Sequence, residues 1–252
     1  MFDVKNLTVK YQNSDNDAVC GVSFSLKAGS FTGLVGESGS GKSTIVSTSL
    51  GLLPKGAETK GEMFFEGKDI LRMREDELRT IRWKEIALIP QSALNSFTPV
   101  ITIGHHIKEV LAEHSNMIGN KAEDKVDGLL VEVGLDASIK NRYPHELSGG
   151  QKQRAAIALA LACSPSLLFA DEPTTALDVV TQAGILNLLA RLRKEKKLTV
   201  LLITHDLPMA ATICDKLLVM KNGLIVEEGT PKEIICNPQD AHTKALVNAI
   251  LN

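Results

Sequence analysis

The feature that most constrains this chain is a glycine-rich segment, Gly36-Glu37-Ser38-Gly39-Ser40-Gly41-Lys42-Ser43. It matches the pattern glycine, four residues, glycine, lysine and serine, which lies between a strand and a helix. An apolar strand is predicted directly before it, from Phe31 to Val35. Gly39 and Gly41 let the backbone curl, so that successive N–H groups point inward at a phosphate. The segment therefore predicts an α/β domain with a phosphate-binding loop at a strand end.

The residue types of this loop suit a nucleotide. The Lys42 ammonium can reach the β- and γ-phosphates, and the Ser43 hydroxyl can bind Mg²⁺. The helix predicted from Ser43 to Leu53, where Pro54 stops it, adds the positive end of its dipole. A flexible Gly/Ser turn is the alternative, but it does not explain the flanking strand and helix. The predicted nucleotide-binding residues here are Gly36, Ser38, Gly39, Ser40, Gly41, Lys42, Ser43 and Thr44.

Composition and charge narrow the class of protein. The chain has 252 residues and a formal net charge of -2. This length suits one sizeable α/β domain, and the charge argues against a general nucleic-acid binder. The longest apolar run, Ala155 to Cys163, is far shorter than the roughly 20 residues that a membrane-spanning helix needs. We expect a chain without signal peptide or spanning helix that stays in the cytosol, and cysteines that are plain thiols.

Apolar strands alternate with helices along most of the chain, which predicts a mostly parallel sheet covered on both faces. A polar helical stretch, from about residue 92 to 148 and with a break near residues 116–119, interrupts this alternation. We interpret it as a helical subdomain inserted into a nucleotide-binding core of about residues 1–91 and 149–252. The whole chain is then a single domain.

A second acidic element follows the apolar strand Leu167 to Ala170. Asp171 can hold the Mg²⁺ shell, and Glu172 can orient or deprotonate the attacking water. In isolation the pair would be a solvated strand end, but a phosphate loop upstream favours the catalytic role. A GTPase would have a guanine-reading motif, whose nearest match at residues 120–123 ends in the wrong acid. A dinucleotide dehydrogenase would have a third glycine where Thr44 stands.

A third motif, Leu147-Ser148-Gly149-Gly150-Gln151, lies before a helix predicted over Gln151 to Cys163. Its small residues expose N–H groups at a positive helix end, which is a second phosphate receptor. The motif resembles the signature of the ATP-binding-cassette (ABC) ATPases. The other motifs of that family follow in order between about Phe2 and Gly229, so the resemblance covers nearly the whole chain.

The resemblance implies roles for further residues. Tyr11 matches the aromatic residue that stacks on adenine, although an ordinary strand tyrosine is the alternative. Gln91 matches the glutamine that touches Mg²⁺ or the water, Asp178 lies in the D-loop, and His205 matches the switch histidine. The implied catalytic residues are Glu172, His205 and Gln91. The implied Mg²⁺ ligands are Ser43, Gln91 and Asp171, and the residues implied to act in trans are Ser148, Gly149, Gly150 and Gln151.

The resemblance also implies the fold and the partners. The fold is an ABC-type α/β core with an antiparallel β subdomain and the inserted helical subdomain. Two cassettes, identical or paralogous, pair head to tail, and each ATP contacts the phosphate loop of one and the signature of the other. The pair docks on two membrane permease subunits, which receive cargo from an extracytoplasmic solute-binding protein. The chain is then a peripheral ATPase at the cytoplasmic face of the membrane, with Mg²⁺ as cofactor and no nucleic-acid partner.

Several segments resemble the branch of this family that imports peptides and nickel. They are residues 143–147, 91–95, 98–104, 237–238 and 242–246. The sequence departs from many branch members in having Gly-Gly-Gln-Lys-Gln-Arg after the signature serine. It also stops at Asn252 without a cysteine-bearing tail, which favours nickel or metal-chelate import over peptide import. The alternatives are a soluble ABC ATPase that acts on nucleic acid or ribosomes, and an exporter cassette.

Overall fold

The structure is a computed structural model, and it describes residues 1–12, 14–91 and 96–251. By their internal contacts the residues fall into two compact units. Unit 1 comprises Met1–Arg79 and Thr199–Asn252, and unit 2 comprises Thr80–Leu198. Within the part of the chain that the structure describes, no helix has both the length and the apolar character of a transmembrane segment.

Unit 1 contains an antiparallel sheet built around its first strand. The spatial order is β2 (Val19–Leu26), β1 (Phe2–Lys10), β4 (Glu58–Phe65) and β5 (Lys68–Asp69). Side chains of a strand alternate between its faces, and β1 buries its apolar set while its polar residues are more exposed. The buried residues of β1 are Phe2, Val4, Leu7 and Val9.

A second sheet of unit 1 ends at the phosphate loop. Its strands lie in the order β10 (Leu224–Gly229), β9 (Lys216–Lys221), β3 (Phe31–Val35) and β8 (Thr199–Thr204). β3 runs parallel to both β8 and β9, and β10 returns antiparallel to β9. Every residue of β3 and β8 is buried, as parallel strands covered on both faces require.

Unit 1 also contains helices, most of which follow strands of this sheet. α1 (Lys42–Ser49) buries Ile45 and Val46 on one face. The closing segment forms two helices that the sequence pattern did not predict, and the Glu227 carboxylate of β10 accepts the N–H groups of Gln239 and Asp240 between them. The helices after α1 are α2 (Glu75–Ile81, which crosses the boundary of the units), α7 (Leu207–Ile213), α8 (Pro231–Cys236) and α9 (Ala241–Leu251).

Unit 2 contains two parallel strands and four complete α-helices among its described residues. β6 (Ile86–Ile89) pairs with β7 (Leu167–Asp171), with Ile89 beside Ala170. The helices are α3 (Ile103–Ser115), α4 (Asn120–Glu132), α5 (Gly149–Ala160) and α6 (Val179–Lys196). The break predicted between α3 and α4 is present, since Asn116 ends α3 in the left-handed region with φ 51°.

The predicted end of α1 differs from the structure. α1 ends at Ser49 rather than near Leu53, because Leu50 leaves the helical conformation and Gly51 adopts a positive φ. The limits of the predicted inserted helical subdomain, near residues 91 and 148, stay a prediction. Residues 92–95, part of the resemblance to the peptide and nickel branch, lie outside the described residues.

Candidate functional site

The phosphate loop closes around the side chain of Lys42. This side chain is buried, and its Nζ donates hydrogen bonds to the carbonyl oxygens of Gly36 and Glu37 at 2.8 and 2.7 Å. A third bond, of 3.2 Å, goes to the Ser40 hydroxyl. Gly41 precedes α1 with φ 106°, a conformation that glycine alone adopts readily. The loop therefore holds an ammonium group among neutral oxygens, where it is able to meet a phosphate.

The other predicted loop residues lie around this ammonium group in sequence order. Ser38 and Gly39 are exposed at the tip of the loop, and Gly39 has φ 79°. Ser43 is exposed on the first turn of α1, next to the half-buried Thr44. The first turn of α1 thus presents a hydroxyl group to the solvent beside the loop.

Tyr11 is connected to α1 by a hydrogen bond. It follows β1, it is half-buried, and its hydroxyl lies 3.1 Å from Oγ1 of Thr44. This bond links the residue predicted to stack on adenine to the helix that follows the phosphate loop. The position of the ring is consistent with a nucleotide whose phosphates lie in the loop.

His205 follows β8, the neighbour of β3. The carboxyl ends of parallel strands share one edge of a sheet, so His205 and the phosphate loop lie at the same edge. The N–H of Gly36 donates to the carbonyl oxygen of Thr204 at 3.3 Å. Asp206 then caps α7 by accepting the N–H of Met209 at 2.8 Å, which directs the chain away after His205.

In unit 2, a hydrogen bond joins Gln91, which lies after β6, to the Glu172 carboxylate, which lies directly after β7. Its Oε2 accepts hydrogen bonds from Nε2 of Gln91 at 3.1 Å and from Oγ1 of Thr175 at 2.9 Å. Glu172 also has φ 46°, a costly conformation for a residue with a side chain, and one that is commonly kept at functional sites. Asp171, one residue earlier, is buried with 8% of its surface exposed.

Thr175 is a site residue that the sequence reasoning missed. Its hydroxyl contacts Glu172 because the chain turns sharply after β7, where the Thr175 N–H also donates to the Glu172 carbonyl oxygen at 3.2 Å. The sequence feature that could have indicated it is its position three residues after Glu172, because Ser and Thr side chains commonly form hydrogen bonds with groups this close in sequence.

The signature residues form the start of α5, and the helix begins earlier than predicted. Gly149 and Gly150 lie in the first turn, whereas the sequence placed them before a helix starting at Gln151. The Ser148 hydroxyl accepts the N–H of Gln151 at 3.3 Å, and Oε1 of Gln151 accepts the N–H of Ser148 at 3.0 Å. This reciprocal cap leaves the N–H groups of Gly149 and Gly150 as the donors available to an anion.

Asp178 caps α6 and lies near the signature. Its carboxylate accepts the N–H and the hydroxyl of Thr181 at 3.0 and 2.6 Å. These hydrogen bonds, the one from the hydroxyl most of all, lower the pKa of Asp178 below its ordinary value. A Cβ on Gly150 would come within 2.7 Å of the Thr181 methyl group, so this threonine also closes off the start of α5.

The pKa of Asp178 provides a test of this cap. We expect an NMR titration to place it below the ordinary value of 3.8, and Thr181→Val to raise it toward that value by removing the hydroxyl. Because folding lowers this pKa, the contribution to stability is present above the ordinary value and lost as the pH falls through the folded pKa.

The control for this titration is Thr181→Ser, which keeps the hydroxyl and is expected to keep the low pKa. An unchanged pKa in the valine variant would show that the Thr181 hydroxyl is not the cause of the shift.

Comparison with known proteins gives concordant results. A family model described as "ABC transporter" matches residues 19–175. The oligopeptide transport ATP-binding protein OppD of Escherichia coli (strain K12) is 41% identical over 254 residues, covering 99% of this chain and 75% of that protein. The dipeptide transport ATP-binding protein DppD of Caldanaerobacter subterraneus subsp. tengcongensis is 44% identical over 241 residues, covering 93% and 73%.

A solved structure matches as closely in fold. The dimeric post-hydrolysis state of the ATP-binding cassette MJ0796, bound to ADP and Pi, has a TM-score of 0.81 at 30% identity, over 92% of this chain and 99% of that one. The predicted fold class, an ABC-type α/β core with an antiparallel β subdomain and an inserted helical subdomain, is confirmed by this match. The sequence, the fold and these relatives agree, and the chain belongs to the ABC transporter family.

Proposed function

We propose that this chain is the ATP-binding and ATP-hydrolysing subunit of an importer that takes up peptides through separate membrane subunits. The observation that carries the ATPase assignment is the Glu172 carboxylate, held by Gln91 and Thr175 in a chain that also has the Lys42 phosphate loop. Peptide as the cargo class is supported by the names of the relatives, which concern oligopeptide and dipeptide transport. Import of nickel or a metal chelate stays a prediction from the sequence.

Nucleotide binding is assigned to unit 1. Lys42 neutralises charge on the β- and γ-phosphates, and the backbone N–H groups of the loop bind their oxygens. Tyr11 stacks on adenine, with its ring positioned by the bond to Thr44. His205, exposed at the same sheet edge, is the hydrogen-bond partner of the γ-phosphate.

Magnesium is the metal that the donor chemistry fits. Mg²⁺ prefers oxygen ligands, and the proposed donors are the exposed Ser43 hydroxyl, the buried Asp171 carboxylate and the amide oxygen of Gln91. Nε2 of Gln91 is bonded to Glu172, so its Oε1 is the atom assigned to the ion or to its water. When bound, the ion neutralises charge that develops on the phosphates during transfer.

Glu172 is assigned the activation of water. The two hydrogen bonds to its Oε2 fix the plane of the carboxylate, so that the group needs no reorientation to accept a proton. The two side chains that orient it, Gln91 and Thr175, are both neutral.

The proposed assembly follows from two phosphate receptors in one chain. The N–H groups of Gly149 and Gly150 at the start of α5 are able to bind an anion, and the loop around Lys42 is a separate phosphate receptor. We assign the α5 receptor to the ATP of a second cassette, identical or paralogous. The pair would dock on two permease subunits at the cytoplasmic face of the membrane, with a solute-binding protein delivering the peptide.

Replacing Glu172 tests the hydrolysis step. We expect Glu172→Gln to bind ATP with nearly the wild-type affinity, to lose turnover by about 10²-fold or more, and to accumulate an ATP-held dimer. The measurements are ATP titration, phosphate release and size-exclusion chromatography with ATP. Glu66→Gln is the matched control, because Glu66 is exposed in the turn before β5. A Glu172→Gln variant that hydrolyses near the wild-type rate would remove Glu172 from this role.

Mixed dimers test the shared site. Lys42→Ala and Ser148→Arg are each expected to be inactive alone, whereas their mixture contains heterodimers with one intact composite site. Random pairing predicts recovery of about a quarter of the wild-type sites. Mixing Lys42→Ala with Glu172→Gln is the control. Both changes lie in the half-site that contains the phosphate loop, so each of the two sites of a heterodimer carries one damaged half and no intact site can form. Normal hydrolysis by both single variants would contradict the shared-site arrangement.

Transport of a defined cargo tests the importer assignment. We expect proteoliposomes with the membrane subunits and the solute-binding protein to accumulate labelled di- or oligopeptide only with ATP, and Glu172→Gln to abolish this uptake. The same vesicles are tested with radioactive Ni²⁺. ATP-dependent uptake of Ni²⁺ without uptake of peptide would contradict peptide as the cargo.

A further inference from the structure

The turn between β9 and β10 contacts the phosphate loop through its backbone. The N–H of Gly223 donates to the carbonyl oxygen of Ser40 at 2.9 Å, and the carbonyl oxygen of Gly223 accepts the N–H of Cys20 at 2.8 Å. Asn222 and Gly223 have φ 46° and 80°, as the two central residues of a tight hairpin turn require. The turn is therefore bonded to the phosphate loop on one side and to the first residues of β2 on the other.

The bond to Ser40 determines which way one peptide group of the loop points. In a trans peptide, the C=O of Ser40 and the N–H of Gly41 point in opposite directions. A phosphate loop binds its anion through N–H groups that converge on it, so the carbonyl oxygen of a peptide whose N–H points at the anion faces away and needs a donor elsewhere. The N–H of Gly223 is such a donor, and it holds the Ser40–Gly41 peptide in this orientation.

This peptide has a particular need for an external partner. Gly41 has φ 106°, and a glycine without a side chain rotates between backbone conformations at low cost. The loop alone therefore does not secure the orientation of the Gly41 N–H. A hydrogen bond from a hairpin that belongs to a fully paired strand, β9, does secure it.

Close backbone packing accompanies the bond. A Cβ on Gly36 would come within 2.2 Å of the Met220 carbonyl oxygen at the end of β9. A Cβ on Gly41 would come within 2.3 Å of the Ala18 carbonyl oxygen and 2.8 Å of the Met220 methyl group. The glycines of the loop thus serve a second purpose besides binding phosphate, which is to let β9 and the residues before β2 approach the loop.

Gly223 has equally little space. A Cβ at this position would come within 2.8 Å of the Cys20 Sγ and 3.1 Å of the Ala18 carbonyl oxygen. Any side chain here pushes the turn away from Cys20, and its N–H moves with it, which lengthens the bond to Ser40.

We propose that Gly223 is a positioning residue of the nucleotide site, which holds the Ser40–Gly41 peptide in the phosphate-binding orientation. This rests on the proposed nucleotide-binding function of the loop. Gly223 acts through Ser40 and touches no nucleotide itself. Its replacement therefore weakens phosphate binding, although the residue lies almost two hundred positions from the loop in the sequence.

The test compares Gly223→Ala with Gly67→Ala. Gly67 is a matched control because it also lies in a hairpin turn with φ 77°, and a Cβ there meets no atom within 4 Å. Both variants carry a similar backbone penalty, and Gly223→Ala adds the close contact with Cys20, so its loss of Tm is expected to be the larger of the two. We expect Gly223→Ala to raise the Kd for ATP and ADP about tenfold, while Gly67→Ala stays within about twofold of wild type.

A second substitution tests the steric route. Adding Cys20→Ala to Gly223→Ala removes the nearest atom, Sγ, and is expected to return the Kd for ATP to within about threefold of Cys20→Ala alone. If Gly223→Ala does not fold, Gly223→Asn with Gly67→Asn places the same Cβ at lower backbone cost. A role in stability alone would lower Tm without this recovery in nucleotide affinity.

The outcomes separate this inference from the proposed function. Lys42→Ala is titrated in parallel, and wild-type ATP affinity in that variant would overturn the nucleotide site itself. Loss of binding by Lys42→Ala with unchanged binding by Gly223→Ala would overturn only the positioning role. Equal losses of affinity in Gly223→Ala and Gly67→Ala would also overturn it, as would a double variant that recovers nothing.

Discussion

The buried ammonium of Lys42 is the interaction on which the rest of unit 1 depends. A buried charge is costly unless hydrogen bonds replace its water, and three oxygens of the loop do so here. The loop reaches that shape because glycines adopt the conformations it needs. The loop also needs a rigid support, and the fully buried strand β3, which leads into the loop and is flanked by β8 and β9, provides it.

In unit 2, the charged group that hydrogen bonds hold in place is the Glu172 carboxylate. Glu172 is kept in an unfavourable backbone conformation, and the two bonds from Gln91 and Thr175 orient its side chain. Nearby, the reciprocal bonds of Ser148 and Gln151 use two helix-end donors and leave those of the glycines between them. In both places local hydrogen bonds decide which groups remain available for chemistry.

The sequence predicts features that depend on neighbours along the chain. Residue types and spacing correctly placed the glycine-rich loop between β3 and α1, the acidic pair at the end of β7 and most strands. The start of α5 was misplaced because glycine disfavours helices, whereas the cap between Ser148 and Gln151 extends the helix through two glycines. The bond between Gly223 and Ser40 was out of reach, because it depends on how β9 pairs with β3.

The hydrogen bonds to Oε2 of Glu172 connect the proposed proton transfer to the Gln91 side chain. While the carboxylate is ionised, its bonds to Gln91 and Thr175 are charge-assisted, and such bonds are roughly twice as strong as neutral ones. In the proposed reaction Glu172 takes a proton from water, and both bonds then become neutral hydrogen bonds. The proposed chemistry would therefore weaken the hydrogen bond that holds the Gln91 side chain.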